Sequence, residues 1–224
     1  MAAERHVLAI FPHPDDETLG KAGTIAQYTQ AGVPVTLICG TLGEMGRNMG
    51  RPFFANRETL PKVREKELRD ACAALGIRDL RLLHLRDKTV EFEDPERVAD
   101  AIEAIMREVQ PSLLLTYYPE HGVHPDHDAL ARAAIIAVKR LAPSQRPVVH
   151  ASAVTRNARE VLGPPDFVKD VSDVLDIKIA AMKAHRSQTE GMFVRMEEER
   201  KNNAGARQEQ DWLKREQFWL YRVD

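Results

Sequence analysis

A chain of 224 residues is long enough for one α/β domain burying ~70% of its unfolded surface and too short for two of ordinary size, so a single domain over residues 1–224 is expected. Charged residues make up 29% and hydrophobic ones 43%, and a formal net charge of -2 gives no basic surplus to recruit nucleic acid or an anionic membrane. The expected partner is a small molecule.

Cys39 and Cys72 show no CxxC spacing, the apolar run before Pro12 is too short for a signal-peptide core, and nowhere do ~18 apolar residues run together; the setting expected is reduced and cytoplasmic. In chain order, His6–Phe11 (HVLAIF) reads as a buried strand and Thr18–Ala31 as a helix stopped by Gly32. Val33–Cys39 is the second strand. Glycines 40, 43, 46 and 50 with Pro52 then defeat either period and predict a long loop, of the kind that carries function in a compact domain.

A helix over Pro61–Leu75 closed by Gly76, a strand over Asp79–Leu85, a helix over Pro95–Val109 and a strand over Ser112–Tyr117 continue the alternation. A helix over Pro125–Leu141, a strand near Pro147–Val154 and a helix near Ser172–His185 extend it. The fold predicted is α/β: a Rossmann-like single domain with a mostly parallel sheet flanked by helices. Residues 185–224 are expected to form a C-terminal extension contributing to an interface or to a cover over the site. Within them Glu197–Gln210 reads as a polar, mobile or partner-dependent helix and Phe218–Val223 (FWLYRV) as a late strand or docking segment.

In an open parallel sheet, ligands bind beyond the carboxyl ends of the strands, and the first such end reads Pro12-His13-Pro14-Asp15-Asp16-Glu17. Several carboxylates and an imidazole aimed at one point repel one another unless a cation joins them. A second cluster, Gly122-Val123-His124-Pro125-Asp126-His127, follows the SLLLTY strand and belongs at the same edge. His13, Asp16 and His127 then make a two-histidine, one-carboxylate set with an open position, the pattern of catalytic zinc; Fe(II) or another divalent metal suits the same donors. Taken singly, either motif reads as well as a helix cap or a surface histidine; together they do not.

HPDDE after the first strand and HPDH about 110 residues later resemble the LmbE/PIG-L-type zinc-dependent N-acetylglucosaminyl deacetylases. Leu42–Arg47 (LGEMGR), Arg64–Leu68 (REKEL), Arg86–Glu93 (RDKTVEFE) and His185–Gln188 (HRSQ) are similar to the bacillithiol-biosynthesis branch over nearly the full length. The resemblance implies metal on His13, Asp16 and His127, Asp15 off the metal as general base, and His124 acting across the site, with Asp126 orienting it or keeping it protonated. It also implies a homo-oligomer and N-acetylglucosaminyl malate as substrate. For an acidic substrate the loop offers Arg47, Arg51 and Arg57, with Arg47 the favoured carboxylate partner, Glu44 accepting sugar hydroxyls or orienting Arg47, and Asp87 at the same edge for hydroxyls.

Glu17 reads equally as an acceptor that fixes a metal ligand and as a first-turn helix carboxylate. Arg64 and Glu67 read as a surface or helix-to-loop ion pair, and His185, Ser187 and Gln188 as a helix end that either packs or borders the site. His6, His84 and His150 read as core or sheet histidines and His121 as a rim residue. Three rival readings remain: an amidase on another amino-sugar conjugate, a non-haem Fe(II) oxygenase and a nucleotide-binding module. The second calls for a β-barrel-like scaffold and the third for a G-x-G-x-x-G turn, which FPHPDDETLG does not supply.

Overall fold

The computed structural model describes residues 4–202 and 211–224. The runs that read as continuous apolar stretches become its central strands, β1 (Val7–Phe11), β2 (Val35–Cys39) and, later, β4 (Leu113–Tyr117), every residue of which is buried. A strand covered by helices on both faces has no polar side to present, which is why these runs do not alternate. With β3 (Asp79–Leu82) and β5 (Val148–Ser152) they form a parallel array, and the whole seven-stranded sheet runs β3-β2-β1-β4-β5-β7-β6. The last two strands, β6 (Phe167–Asp170) and β7 (Arg215–Leu220), break the parallel pattern, because β7 runs antiparallel to both β5 and β6.

One face of the sheet, carrying Val7, Ala9, Phe11, Leu37 and Leu115, packs on α1 (Ala22–Gln30), α2 (Leu60–Leu75) and α6 (Leu175–Ala184). The other face, carrying Leu8, Ile10, Ile38 and Leu114, packs on α3 (Pro95–Val109) and α4 (Pro125–Arg140). Local signals fix the ends. Asp94 accepts the Glu96 N–H to cap α3, and Gly76 takes φ 75° to close α2.

The order of strands reverses between β1 and β4, so a crevice opens beyond their carboxyl ends, and both motifs lie there. This α/β sheet is not the barrel-like scaffold that the iron-oxygenase reading requires. Several expected bounds shift. The helix expected from Thr18 starts at Ala22, since residues 14–21 fold as turns around the Asp15 carbonyl, which accepts from Thr18 and Leu19. His84, expected in a strand, is exposed with φ 53°, because β3 ends at Leu82. His121, expected at the rim, is buried and joined through Nδ1 to Thr155 Oγ1 at 2.7 Å.

A short helix, α5 (Ala158–Leu162), and β6 have no counterpart in the sequence reading; four or five residues are too few to set up a period. Polar residues 197–202 belong to α7 (Arg186–Asn202), and the rest of the expected polar helix, 203–210, lies outside the described residues. A final turn, α8 (Asp211–Lys214), leads into β7, which contains the Phe218–Leu220 part of the expected late strand. Among the described residues no helix is long and apolar enough to cross a membrane.

Candidate metal centre and active-site cleft

The loop after β1 and the N-terminus of α4 meet across the crevice and bring His13, Asp16 and His127 together. His13 Nδ1 lies 3.1 Å from His127 Nε2 and 3.3 Å from Asp16 Oδ2, and His127 Nε2 lies 3.4 Å from Asp16 Oδ1. Neighbours decide which ring nitrogens carry protons. His127 Nδ1 faces the Gly122 carbonyl at 2.7 Å and so donates, leaving Nε2 as a bare lone pair. His13 Nε2 faces Asp126 Oδ2 and Asp87 Oδ1, each at 3.2 Å, so its Nδ1 is the free atom.

Two lone pairs and a carboxylate facing one another at these separations repel without a cation between them. The spacing matches the ~3.3 Å edge of a tetrahedron whose arms are the ~2.0–2.2 Å bonds of zinc to nitrogen and oxygen. Electrostatics agree. Burial alone would lower the His13 pKa, yet Asp126, Asp16 and Asp87 raise it well above its ordinary value, a preference for added positive charge that a proton or a metal ion satisfies alike. Burial opposes ionisation of Asp16, but His127, His13 and Lys21 hold its carboxyl far below the usual range, and burial keeps His127 neutral. The donor set therefore fits a divalent metal.

Asp15 sits beside this triad, partly exposed, in a cleft of about 290 Å³ that His124, Arg47, Lys88 and Gln188 also line. Burial of its carboxyl pushes the pKa up to about 6 against the pull of Arg64, whose guanidinium holds Asp15 Oδ2 at 3.0 Å. Arg64 also donates to the carbonyls of Pro14 and Gly43. It can approach because position 43 is glycine; a Cβ there would lie 1.8 Å from the guanidinium. Arg64 is 3% exposed and Glu67 6%, which corrects the surface form of the expected pair, whereas Arg64 does pair from helix to loop, with Asp15. Glu67 instead accepts from the N–H and hydroxyl of Ser187, each at 2.6 Å, because it lies on the buried face of α2, which meets the start of α7, and not on the exposed face of that helix.

His124 completes the ring of imidazoles, its centroid 5.0 Å from His13 and 5.4 Å from His127. Its Nδ1 accepts the Asp126 N–H at 3.1 Å, which leaves the proton of the neutral ring on Nε2. The expectation that the Asp126 side chain serves His124 needs correcting. That carboxylate, 0% exposed, accepts from Lys88 N at 2.7 Å and Val90 N at 3.2 Å and turns to His13, because the loop after β3 covers it. Glu44, expected at the substrate, accepts the Asp87 N–H at 3.1 Å, and Asp87 in turn accepts from Met45 N at 2.8 Å.

Of the three loop arginines only Arg47 lines the cleft. Arg57 braces the carbonyls of Glu44 and Gly46, and the Arg51 N–H reaches Glu190. Lys88, which sequence reasoning passed over, does line it; its place after a strand end at the ligand edge was the available signal. A larger cavity of about 680 Å³ lies at the opposite ends of the strands, around His6 and Asp79, without comparable converging chemistry.

The family model for GlcNAc-PI de-N-acetylase (PIG-L) matches residues 8–138, which contain the three donors, Asp15 and His124. A Bacillus cereus protein named "Probable N-acetyl-alpha-D-glucosaminyl L-malate deacetylase 2" is 57% identical over 219 residues, 98% of this chain and 99% of that protein. A Bacillus subtilis protein of the same name is 54% identical over 218 residues, covering 97% and 98%. Among solved structures, N,N'-diacetylchitobiose deacetylase from Pyrococcus horikoshii, complexed with its inhibitor MPG, matches with TM-score 0.73 at 23% identity over 97% of this chain and 84% of that one, a likeness of fold.

Proposed function

We propose, from the premise that this chain belongs to the PIG-L family of GlcNAc-PI de-N-acetylases, that it hydrolyses the acetamide of an N-acetylglucosamine conjugate with an acidic aglycone, N-acetylglucosaminyl malate. The observation that carries the chemistry is the pair of imidazole lone pairs 3.1 Å apart beside Asp16, with the Arg64-held carboxylate of Asp15 next to them. A divalent ion held by His13, Asp16 and His127, zinc by its preference for this donor set, would supply Lewis acidity that polarises the acetyl carbonyl and eases deprotonation of water.

Asp15 takes the proton of the attacking water. A carboxyl at about 6 is ionised at neutral pH yet basic enough for that task, and Arg64 engages Oδ2, which leaves Oδ1 to accept the proton. His124 offers Nε2–H from the opposite wall, either to the oxygen that gains charge or to the departing amine. Asp87 and Glu44, bonded to each other's loop, hold the edge on which sugar hydroxyls rest.

The acidic aglycone is supported by charge. Arg47 and Lys88 line the cleft, and neither is ion-paired among the described residues, so both are free to meet the carboxylates of malate. Acetate release from N-acetylglucosaminyl malate, compared with free N-acetylglucosamine and with a chelator added, tests both parts. Chelator-sensitive release favouring the malate conjugate is expected. Arg47→Ala should raise KM for the conjugate several-fold and leave the neutral sugar unaffected; equal effects on both would remove Arg47 from the carboxylate site.

A further inference from the structure

Asp15 holds a backbone conformation that a side chain rarely tolerates, with φ at 110°. Such a torsion costs free energy and persists only where surrounding groups over-determine it. Two clamps do so here. Arg64 grips the Asp15 carboxylate and the Pro14 carbonyl from one side. From the other, Glu17 Oε2 accepts the Asp15 N–H at 3.0 Å, while Glu17 Oε1 lies 2.5 Å from His185 Nε2.

Glu17 is 1% exposed and His185 0%, and neither hydrogen-bonds to His13, Asp16 or His127. The two sequence readings of Glu17 therefore both fail. It fixes no metal donor, and it does not sit in the first turn of α1, which begins five residues later and has its Gly23 and Thr24 N–H groups taken by Glu216. The other ring nitrogen of His185, Nδ1, is buried without a hydrogen-bond partner, so the ring's polar contact is with Glu17. His185 is itself fixed where α6 passes into α7, its carbonyl accepting from the N–H groups of Gln188 and Thr189.

We propose that Glu17 and His185 are positioning residues for Asp15, holding its peptide in the left-handed conformation that aims its carboxylate into the cleft. The proposal rests on the reading of Asp15 as general base, and the test separates the two. Glu17→Ala, Glu17→Gln and His185→Gln are compared with wild type for kcat, KM, thermal unfolding and metal stoichiometry on titration of the apoprotein. Glu17→Ala is repeated in an Asp15→Ala background.

A displacement of order 1 Å at a reacting group costs up to ~100-fold, so Glu17→Ala is expected to lower kcat by roughly 10- to 100-fold with KM and metal stoichiometry unchanged. Glu17→Gln, whose amide oxygen accepts the same N–H, should recover most of that loss. In the Asp15→Ala background, which retains metal and has little turnover, Glu17→Ala should change the residual rate by no more than about twofold. Loss of metal in step with activity, or the same fold-loss in both backgrounds, would overturn the proposal. Full turnover in Asp15→Ala alone would instead sink the general-base reading. Should Glu17→Ala not fold, His185→Gln carries the same cycle.

Discussion

Tyr117 ends β4 with its ring stacked on His127, centroids 4.2 Å apart and planes within 8°, and its hydroxyl donates to Asp16 Oδ1 at 2.7 Å. One side chain thus orients two of the three proposed metal donors, and the buried Lys21 ammonium sits 3.9 Å from the same ring. Outer partners of this kind are worth ~10- to 100-fold in metal affinity. Tyr117→Phe keeps the stack and deletes the hydrogen bond, so metal binding should weaken about tenfold in competition with a chelator; unaltered affinity would mean the hydroxyl is a bystander. Neither residue stood out in the sequence. A tyrosine ending an apolar strand reads as core, and a lysine near the start of a helix reads as solvated, until folding places them under the motif.

At the scale of elements, the C-terminal strand secures the helix that follows the first motif. Glu216 on β7 accepts from Gly23 N at 3.0 Å and Thr24 N at 2.8 Å and pairs with Lys178 of α6 at 2.7 Å, with both side chains fully buried. Removing one partner leaves the other charge buried and unpaired, so Glu216→Ala should cost ~3–5 kcal/mol in denaturant unfolding. A loss below about 1 kcal/mol would show that α1 has another cap. Across β5, β6 and β7 His150 packs against Phe167 and Phe218, ring centroids 4.5 and 5.9 Å away. Burial, reinforced by Lys169, lowers its pKa to about 4 from an ordinary value near 6.5. The unfolded chain therefore binds a proton that the folded one refuses, and stability should fall as pH drops from about 6.5 to about 4. His150→Leu should flatten that part of the profile relative to wild type; identical slopes would place the linkage elsewhere.

For the whole molecule, the proposed metal centre joins segments more than 110 residues apart, since His13 and Asp16 follow β1 whereas His127 lies on α4. An ion bound only by the folded state at about 100 times its Kd adds ~2.7 kcal/mol. Chelation should then lower the melting temperature by roughly 5–10 °C for a domain of this size, with recovery on adding zinc. No change on either treatment would contradict the centre.

The continuous apolar runs, the helix ends at Asp94 and Gly76 and the two motifs were written locally, because burial on both sheet faces, capping and strand-end chemistry depend on neighbours in sequence. Strand order, the insertion of β7 beside β5, the turn of Asp126 to His13 instead of His124, and the links Asp15–Arg64 and Glu17–His185 were decided by tertiary structure alone. Each joins residues dozens to more than a hundred positions apart, and no local period or spacing records which buried charge will find which partner.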